Sequence, residues 1–287
     1  EHYTIDVTEL FHSKVIDYFV DDYKNGRTPN PCVVCNRKVK FKTLFDKAQE
    51  LSAGFVATGH YAQIQKKNAD YVLMKGKESK KDQSYFLAQL KQDWLKTVLF
   101  PVGMYTKKEV TKIAQQSQLP FYQKEESQEV CFIGGNDYRT FLLDKLPGLG
   151  KPGSIIDMHE RIIGKHKGIF YYTIGQRKGI QVNSNIPLFV TAINTEENTI
   201  TVGKEIHAYK NECNVEKLNW FVDPGKIPQN VFAKIRSQHN PVEANIEIHD
   251  ARVIAQFFEP QMAITPGQLA VFYNDNIVLG SGWICER

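Results

Sequence analysis

Phe55-Val56-Ala57-Thr58-Gly59-His60-Tyr61 follows a run in which Leu44, Phe45, Ala48 and Leu51 recur at helical spacing up to Gly54. A short apolar segment bounded by glycines directly after an amphipathic helix reads as a buried strand. Working outward, Leu10, Phe11, Val15, Ile16, Phe19, Val20 and Tyr23 mark an earlier helix over residues 8–23, with Gly26 as its stop. A hairpin is expected over residues 61–75 with its turn at Asn68-Ala69-Asp70, and helices over 83–90 and 106–118. Strand and helix alternate, so the first half reads as an α/β domain.

The texture changes at Pro147-Gly148-Leu149-Gly150-Lys151-Pro152-Gly153, a stretch typical of a domain boundary. Beyond it, Leu188 to Ile193 and Thr199 to Val202 read as strands around a polar turn. From about Asn211, alternating segments at 232–235, 244–248 and 269–273 predict a small C-terminal β-barrel, with a turn at Asn274-Asp275-Asn276. The expected division is 1–145, 146–208 and 209–287, each part able to bury its own core.

At 287 residues and 42% hydrophobic content, the chain is neither disordered nor fibrous. No apolar run approaches the roughly 20 residues that span a bilayer, and the start does not resemble a signal peptide, so a soluble cytoplasmic protein without a membrane partner is expected. The net charge of +4 suits a polyanionic partner without requiring one. Five cysteines form no secreted disulfide framework. The opening Glu1-His2-Tyr3-Thr4-Ile5-Asp6-Val7, with no initiator Met, reads like the interior of a larger fold.

Gly26-Arg27-Thr28-Pro29-Asn30-Pro31-Cys32-Val33-Val34-Cys35-Asn36-Arg37 carries the chemistry. Two prolines stiffen a predicted loop that presents two thiols beside two arginines, and nearby cations are expected to lower a thiol pKa from its usual value of about 8.5. The pair could also be half a zinc site, a redox disulfide or two packed cysteines. Cys131, in Ser127-Gln128-Glu129-Val130-Cys131-Phe132-Ile133-Gly134-Gly135, reads as lying on a short strand, as either a nucleophile or a packing residue. Gly59 and His60 fall where open α/β sheets bind ligands, although His60 could be structural. Lys81-Asp82-Gln83 precedes a helix, as a phosphate contact or an ordinary cap. Tyr171 to Gly179, with Arg177 and Lys178, combines aromatics and cations as RNA-contacting surfaces do.

Taken in order, GRTPNPCVVCN, ATGHY, KDQSYFL, LFPVG, SQEVCFIG, YYTIGQRKG and TPGQLAVFY resemble the bacterial and organellar tRNA-specific 2-thiouridylases of the PP-loop ATP pyrophosphatase superfamily. The resemblance covers essentially the whole chain. It implies an incomplete adenine nucleotide alpha hydrolase-like α/β domain, a small central domain that binds tRNA and a C-terminal β-barrel. The implied reaction is ATP-dependent, Mg2+-assisted 2-thiolation of the tRNA wobble uridine. Cys131 would carry a persulfide supplied by a cysteine desulfurase or sulfur relay protein, with Cys35 as its partner thiol. Asn30, Pro31 and Cys32 would meet the target base, and Gly59 would meet ATP. His60, Lys81, Asp82, Gln83, Arg236, Ser237 and Gln268 would contact tRNA.

The chain departs from the family pattern twice. Many members carry Asp where this chain has Cys32. The resulting three thiols open an alternative in which an iron–sulfur cluster delivers sulfide. The family's SGGxDSS phosphate loop is absent, so the chain alone is expected not to adenylate tRNA. A rival of another class is a non-catalytic RNA-binding module with a structural CxxC.

Overall fold

A computed structural model of the chain describes residues 1–67, 70–119, 130–133 and 137–286. The turn expected at Asn68-Ala69 and the Ser127-Gln128-Glu129 and Gly134-Gly135 parts of the Cys131 segment lie outside the described residues.

The first helix runs through Thr8–Phe11 (α1), a π-helical turn His12–Ile16 and Asp17–Lys24 (α2). It ends where Gly26 takes φ +69°, the left-handed conformation that costs glycine least. The loop expected within Gly26 to Arg37 is a loop only as far as Asn30. Pro31–Cys35 (α3), a π-helical turn Asn36–Lys40 and Phe41–Glu50 (α4) continue one helix. Pro31 sits in its first turn, where a missing N–H and a preset φ favour helix initiation instead of blocking it.

Strand β1 (Val56–Ala57) leads through Gly59 and His60 into the hairpin β2 (Ala62–Lys67) and β3 (Asp70–Lys75), followed by α5 (Ser84–Leu87). Strand β4 (Val98–Leu99) pairs in parallel with β1. Helix α6 (Lys107–Gln116) starts on a capping box between Thr106 and Glu109, and α7 (Tyr138–Lys145) closes this part of the chain. The central unit is a four-stranded sheet of β5 (Gly153–Ile156), β6 (Ile162–His166), β7 (Phe189–Asn194) and β8 (Thr199–Gly203), in the order β6-β5-β8-β7.

The C-terminal strands are β9 (Tyr209–Trp220), β10 (Asn230–Lys234), β11 (Val242–His249), β12 (Arg252–Met262), β13 (Leu269–Asn274) and β14 (Ile277–Cys285). They run in the order β13-β10-β11-β12-β9-β14, and pairing of β13 with β14 closes a six-stranded antiparallel barrel with no free edge. The hairpin β2–β3 does not stand with the α/β part alone. It joins the barrel sheet where Met74 pairs with Ile277.

The cores follow the same pattern. One cluster holds Phe41, Leu73, Tyr85 and Leu90 together with Leu269, Val271, Tyr273 and Val278, so the α/β part and the barrel share this core. Tyr85 Oη reinforces the joint by donating to the Leu269 carbonyl at 2.9 Å. The barrel interior and the central sheet have further clusters of their own. No helix of the described residues is long and apolar enough to cross a membrane.

Candidate functional site

The thiol site begins with Asn30, which is buried and stands just before the first turn of α3. Its side chain makes no cap hydrogen bond, and its backbone N–H donates to Tyr18 Oη at 3.3 Å. Beside Tyr18, Asp22 is buried and receives Arg27 Nε and Nη2 on one oxygen at 2.7 and 2.6 Å. Burial raises the Asp22 pKa, and the Arg27 guanidinium opposes that rise.

The barrel holds the same loop from the other side. Thr28 N–H donates to the Pro266 carbonyl at 2.9 Å, and Gln268 Nε2 donates to the carbonyls of Thr28 at 3.0 Å and Pro29 at 3.2 Å. Gly267 makes this approach feasible. At φ +89°, an added Cβ would stand 2.8 Å from the Thr28 carbonyl oxygen. Gln268 therefore anchors the loop that carries Asn30 and Pro31. Gln268→Ala is expected to leave two backbone acceptors without their donor and cost about 1–3 kcal/mol. The check is urea denaturation with hydrogen exchange, which should rise locally around residues 27–30; unchanged exchange there would remove the anchoring role.

One helical turn places Cys32 and Cys35 on the same face, Cys32 exposed and Cys35 buried. Cys131 is exposed and reaches this face from 96 residues away in the chain. Within the described segment it lies in a turn closed by Ile133 N–H to the Val130 carbonyl at 3.1 Å, not on the expected strand. The turn forms because its neighbour Phe132 is an aromatic anchor. Phe132 packs edge-on to Phe11 and Phe19 at centroid distances of 5.7 and 5.3 Å, and it also touches the cluster that contains Cys35.

The charge on Cys131 raises the pKa of both Cys32 and Cys35, which places the three sulfurs within electrostatic reach of one another. The expected lowering of the CxxC thiols is not found. Desolvation by the packed surroundings is the leading cause and raises both, with Lys40 as the opposing charge. Arg37 is not among the charges acting on either thiol, and its Nη1 donates to buried Gln89 Oε1 at 2.7 Å. Among the described residues, no group of three or more His, Cys, Asp or Glu is arranged to hold a metal ion.

Phe41 follows, fully buried, stacked on His60 at 5.8 Å and on Trp94 at 6.4 Å. His60 Nδ1 shares a 2.8 Å hydrogen bond with Thr58 Oγ1. Burial first, then Lys40, pushes the His60 pKa down to about 4 from 6.5, so its ring is neutral at pH 7. Below pH 6.5 the unfolded chain binds a proton that folded His60 refuses until about pH 4, so stability falls as the pH drops across that window. NMR should show His60 titrating near pH 4, and His60→Gln should flatten the loss. A midpoint near 6.5 would show that the ring is solvated. Gly59, at the end of β1, is exposed with open space where a side chain would stand.

The remaining expected residues make contacts of their own. Asp82 accepts from Gly76 N–H at 2.9 Å, Ser84 N–H at 3.0 Å and Ser84 Oγ at 2.8 Å. Gln83 Oε1 accepts from Tyr61 N–H at 2.9 Å. Both side chains thus hold the hairpin's exit to α5, and Lys81 is half-buried beside them. Arg236 Nη2 donates to the Met262 carbonyl at 3.3 Å, with Ser237 next to it at the end of β10. In the 171–179 segment, Tyr172 is buried in the central core and Tyr171 is half-buried against it, so these rings are not free to stack on bases; Arg177 and Lys178 are exposed. Three roles were not evident in the sequence: the Tyr18–Asp22–Arg27 support, Gln89 as partner of Arg37, and the position of Lys40. Each depends on pairing between separate elements or on the π-helical turn.

Three family profiles match the chain in order. They are described as the tRNA methyl transferase HUP domain over residues 1–135, the tRNA methyl transferase PRC-barrel domain over 139–204 and the aminomethyltransferase beta-barrel domain over 210–284. The chain is similar to tRNA-specific 2-thiouridylase MnmA 1 of Caldanaerobacter subterraneus subsp. tengcongensis, with 45% identity covering 100% of this chain and 80% of that protein. Similarity to tRNA-specific 2-thiouridylase MnmA of Halothermothrix orenii is 43% over 100% of this chain and 81% of that protein. For the Clostridium perfringens protein of the same name, the figures are 41%, 98% and 79%. With these matches along its whole length and three cysteines gathered on one face, the chain belongs to the tRNA-specific 2-thiouridylase family.

Proposed function

We propose that the protein is a tRNA-uridine 2-sulfurtransferase that replaces the C2 oxygen of the wobble uridine with sulfur carried on Cys131. The observation that carries this reading is the meeting of Cys131 with Cys32 and Cys35 across most of the α/β part. A methyl transfer, which two of the family descriptions name, has no need of three clustered thiols.

Cys131 is exposed, as a sulfur acceptor must be if a cysteine desulfurase or relay protein is to reach it. Cys35 is buried beside it and suits the resolving role. In that step the Cys35 thiolate attacks the inner sulfur of the Cys131 persulfide. A Cys35–Cys131 disulfide forms, the sulfur–sulfur bond of the persulfide breaks, and the outer sulfur leaves with the electron pair as hydrosulfide. Alternatively, the outer sulfur attacks C2 first, and Cys35 then releases it from Cys131 in the same sense. Asn30, Pro31 and Cys32 border the face where the base would enter.

ATP, when bound, supplies the AMP group that turns the C2 oxygen into a leaving group. The open backbone at Gly59, beyond the carboxyl end of a parallel strand pair, fits a nucleotide packed against it. Among the described residues, Cys32, Cys35 and Cys131 are not arranged as a metal-holding group, which favours the persulfide route over an iron–sulfur cluster. On this reading residues 1–145 do the chemistry, while 146–208 and 209–287 hold the tRNA, with Arg177, Lys178, Arg236 and Ser237 as contacts. Lys81, Asp82, Gln83 and Gln268 contribute by shaping the surface around His60 and the thiol loop.

The direct test is to incubate the protein with a cysteine desulfurase and cysteine, then locate the added sulfur by peptide mass spectrometry. The expected carrier is Cys131, and Cys35→Ala should make that persulfide accumulate. Sulfur found only on another cysteine would overturn the assignment.

A further inference from the structure

The thiol site poses an electrostatic problem. The resolving step needs a thiolate at Cys35 next to a persulfide that is itself acidic, yet burial disfavours charge on the CxxC sulfurs and each sulfur disfavours charge on its neighbours. Among the described residues, the groups acting electrostatically on Cys35 are Cys32 on its own helix, Cys131 from the facing turn and Lys40; of these only Lys40 is a cation. The same cation acts on Cys32 and on His60 beyond Phe41.

The helix geometry explains how Lys40 comes to be there. In an α-helix, residue 40 would lie roughly 140° around the axis from residue 35. The backbone instead makes a π-helical turn over Asn36–Lys40, in which Phe41 N–H bonds the Asn36 carbonyl five residues back. The extra residue per turn rotates Lys40 back toward the Cys35 face, and such π-turns are frequent at functional sites. Phe41, buried between His60, Trp94 and Phe100, holds the turn in register, while Lys40 itself stays exposed. Its helix neighbours Lys42 and Lys47 are engaged with Asp46 and Glu50.

We propose that Lys40 is a positioning residue of the sulfur-transfer site, set by the π-helical turn Asn36–Lys40 against Cys32 and Cys35, where its ammonium favours anionic sulfur. This rests on the sulfurtransferase reading for its purpose, but its test does not. The rate of iodoacetamide alkylation at Cys32 and Cys35 is measured by peptide mass spectrometry across pH in the intact protein. Lys40→Ala should slow alkylation at pH 7 by roughly three- to tenfold and move the midpoint of the rate–pH curve upward. Lys40→Arg should restore most of the rate, and Lys38→Ala, at another exposed lysine of the helix, should leave it unchanged. Circular dichroism and thermal melting confirm that each variant is folded. An unmoved midpoint in folded Lys40→Ala, or an equal shift in Lys38→Ala, overturns the proposal. If the desulfurase experiment puts sulfur elsewhere while Lys40→Ala still moves the midpoint, the sulfurtransferase reading fails and the electrostatic role stands.

Discussion

Cys131→Ser is expected to abolish sulfur transfer to tRNA, with a loss of roughly 10³-fold or more in the whole protein, because a hydroxyl cannot form or pass on a persulfide. Cys131 is exposed in a turn held by Phe132, so the fold and tRNA affinity should change little. The measurement pairs 2-thiouridine formation in unmodified tRNA with a tRNA-binding isotherm at fixed salt. Thiolation retained by the variant would remove Cys131 as sulfur carrier; lost binding would show that the cysteine acts through structure. Cys35→Ser should differ by accepting sulfur on Cys131 and failing to release it, since the resolving thiolate is absent.

Phe41→Ala should be the most damaging substitution for the fold, costing about 3–5 kcal/mol. Its ring is fully buried, stacks on His60 and Trp94 and meets Phe100 edge-on at 6.2 Å, in the core shared by the α/β part and the barrel. Removing it leaves a cavity and also frees the π-helical turn that orients Lys40. Chemical denaturation should show the loss, and Phe41→Leu should recover part of it by refilling volume. In Phe41→Ala, the His60 titration should move up toward 6.5 as water enters beside the ring. A change in stability below about 1 kcal/mol would mean that the site closes over the missing ring.

Much of the architecture could be read from local pattern. The periodic residues from Leu10 to Tyr23 form a helix ending at Gly26, the Val56–Ala57 strand follows the Leu44–Leu51 helix, and the turn residues 274–276 join two barrel strands. Strands β9 and β12 escape the local pattern because they mix inward apolar and outward polar residues over 12 and 11 residues, and β14 escapes it because Gly280 and Gly282 interrupt its apolar run. The start of α3 reads as loop in the sequence because two prolines look like breakers unless one of them falls in the first helical turn.

The sequence by itself determined the chemical inventory: a CxxC beside a proline-rich loop, a distant Cys131, and a strand ending in Gly59-His60. Only the tertiary structure decided how these parts act on one another. Desolvation raised the CxxC thiols, and neither neighbouring arginine is among the charges acting on them: Arg27 pairs with Asp22, and Arg37 donates to Gln89. Gln268 reached from the barrel to the thiol loop, and the helix after the CxxC made a π-helical turn over Asn36–Lys40. Desolvation and charge proximity depend on what packs against a residue from elsewhere in the chain, and residue spacing along one segment does not encode that.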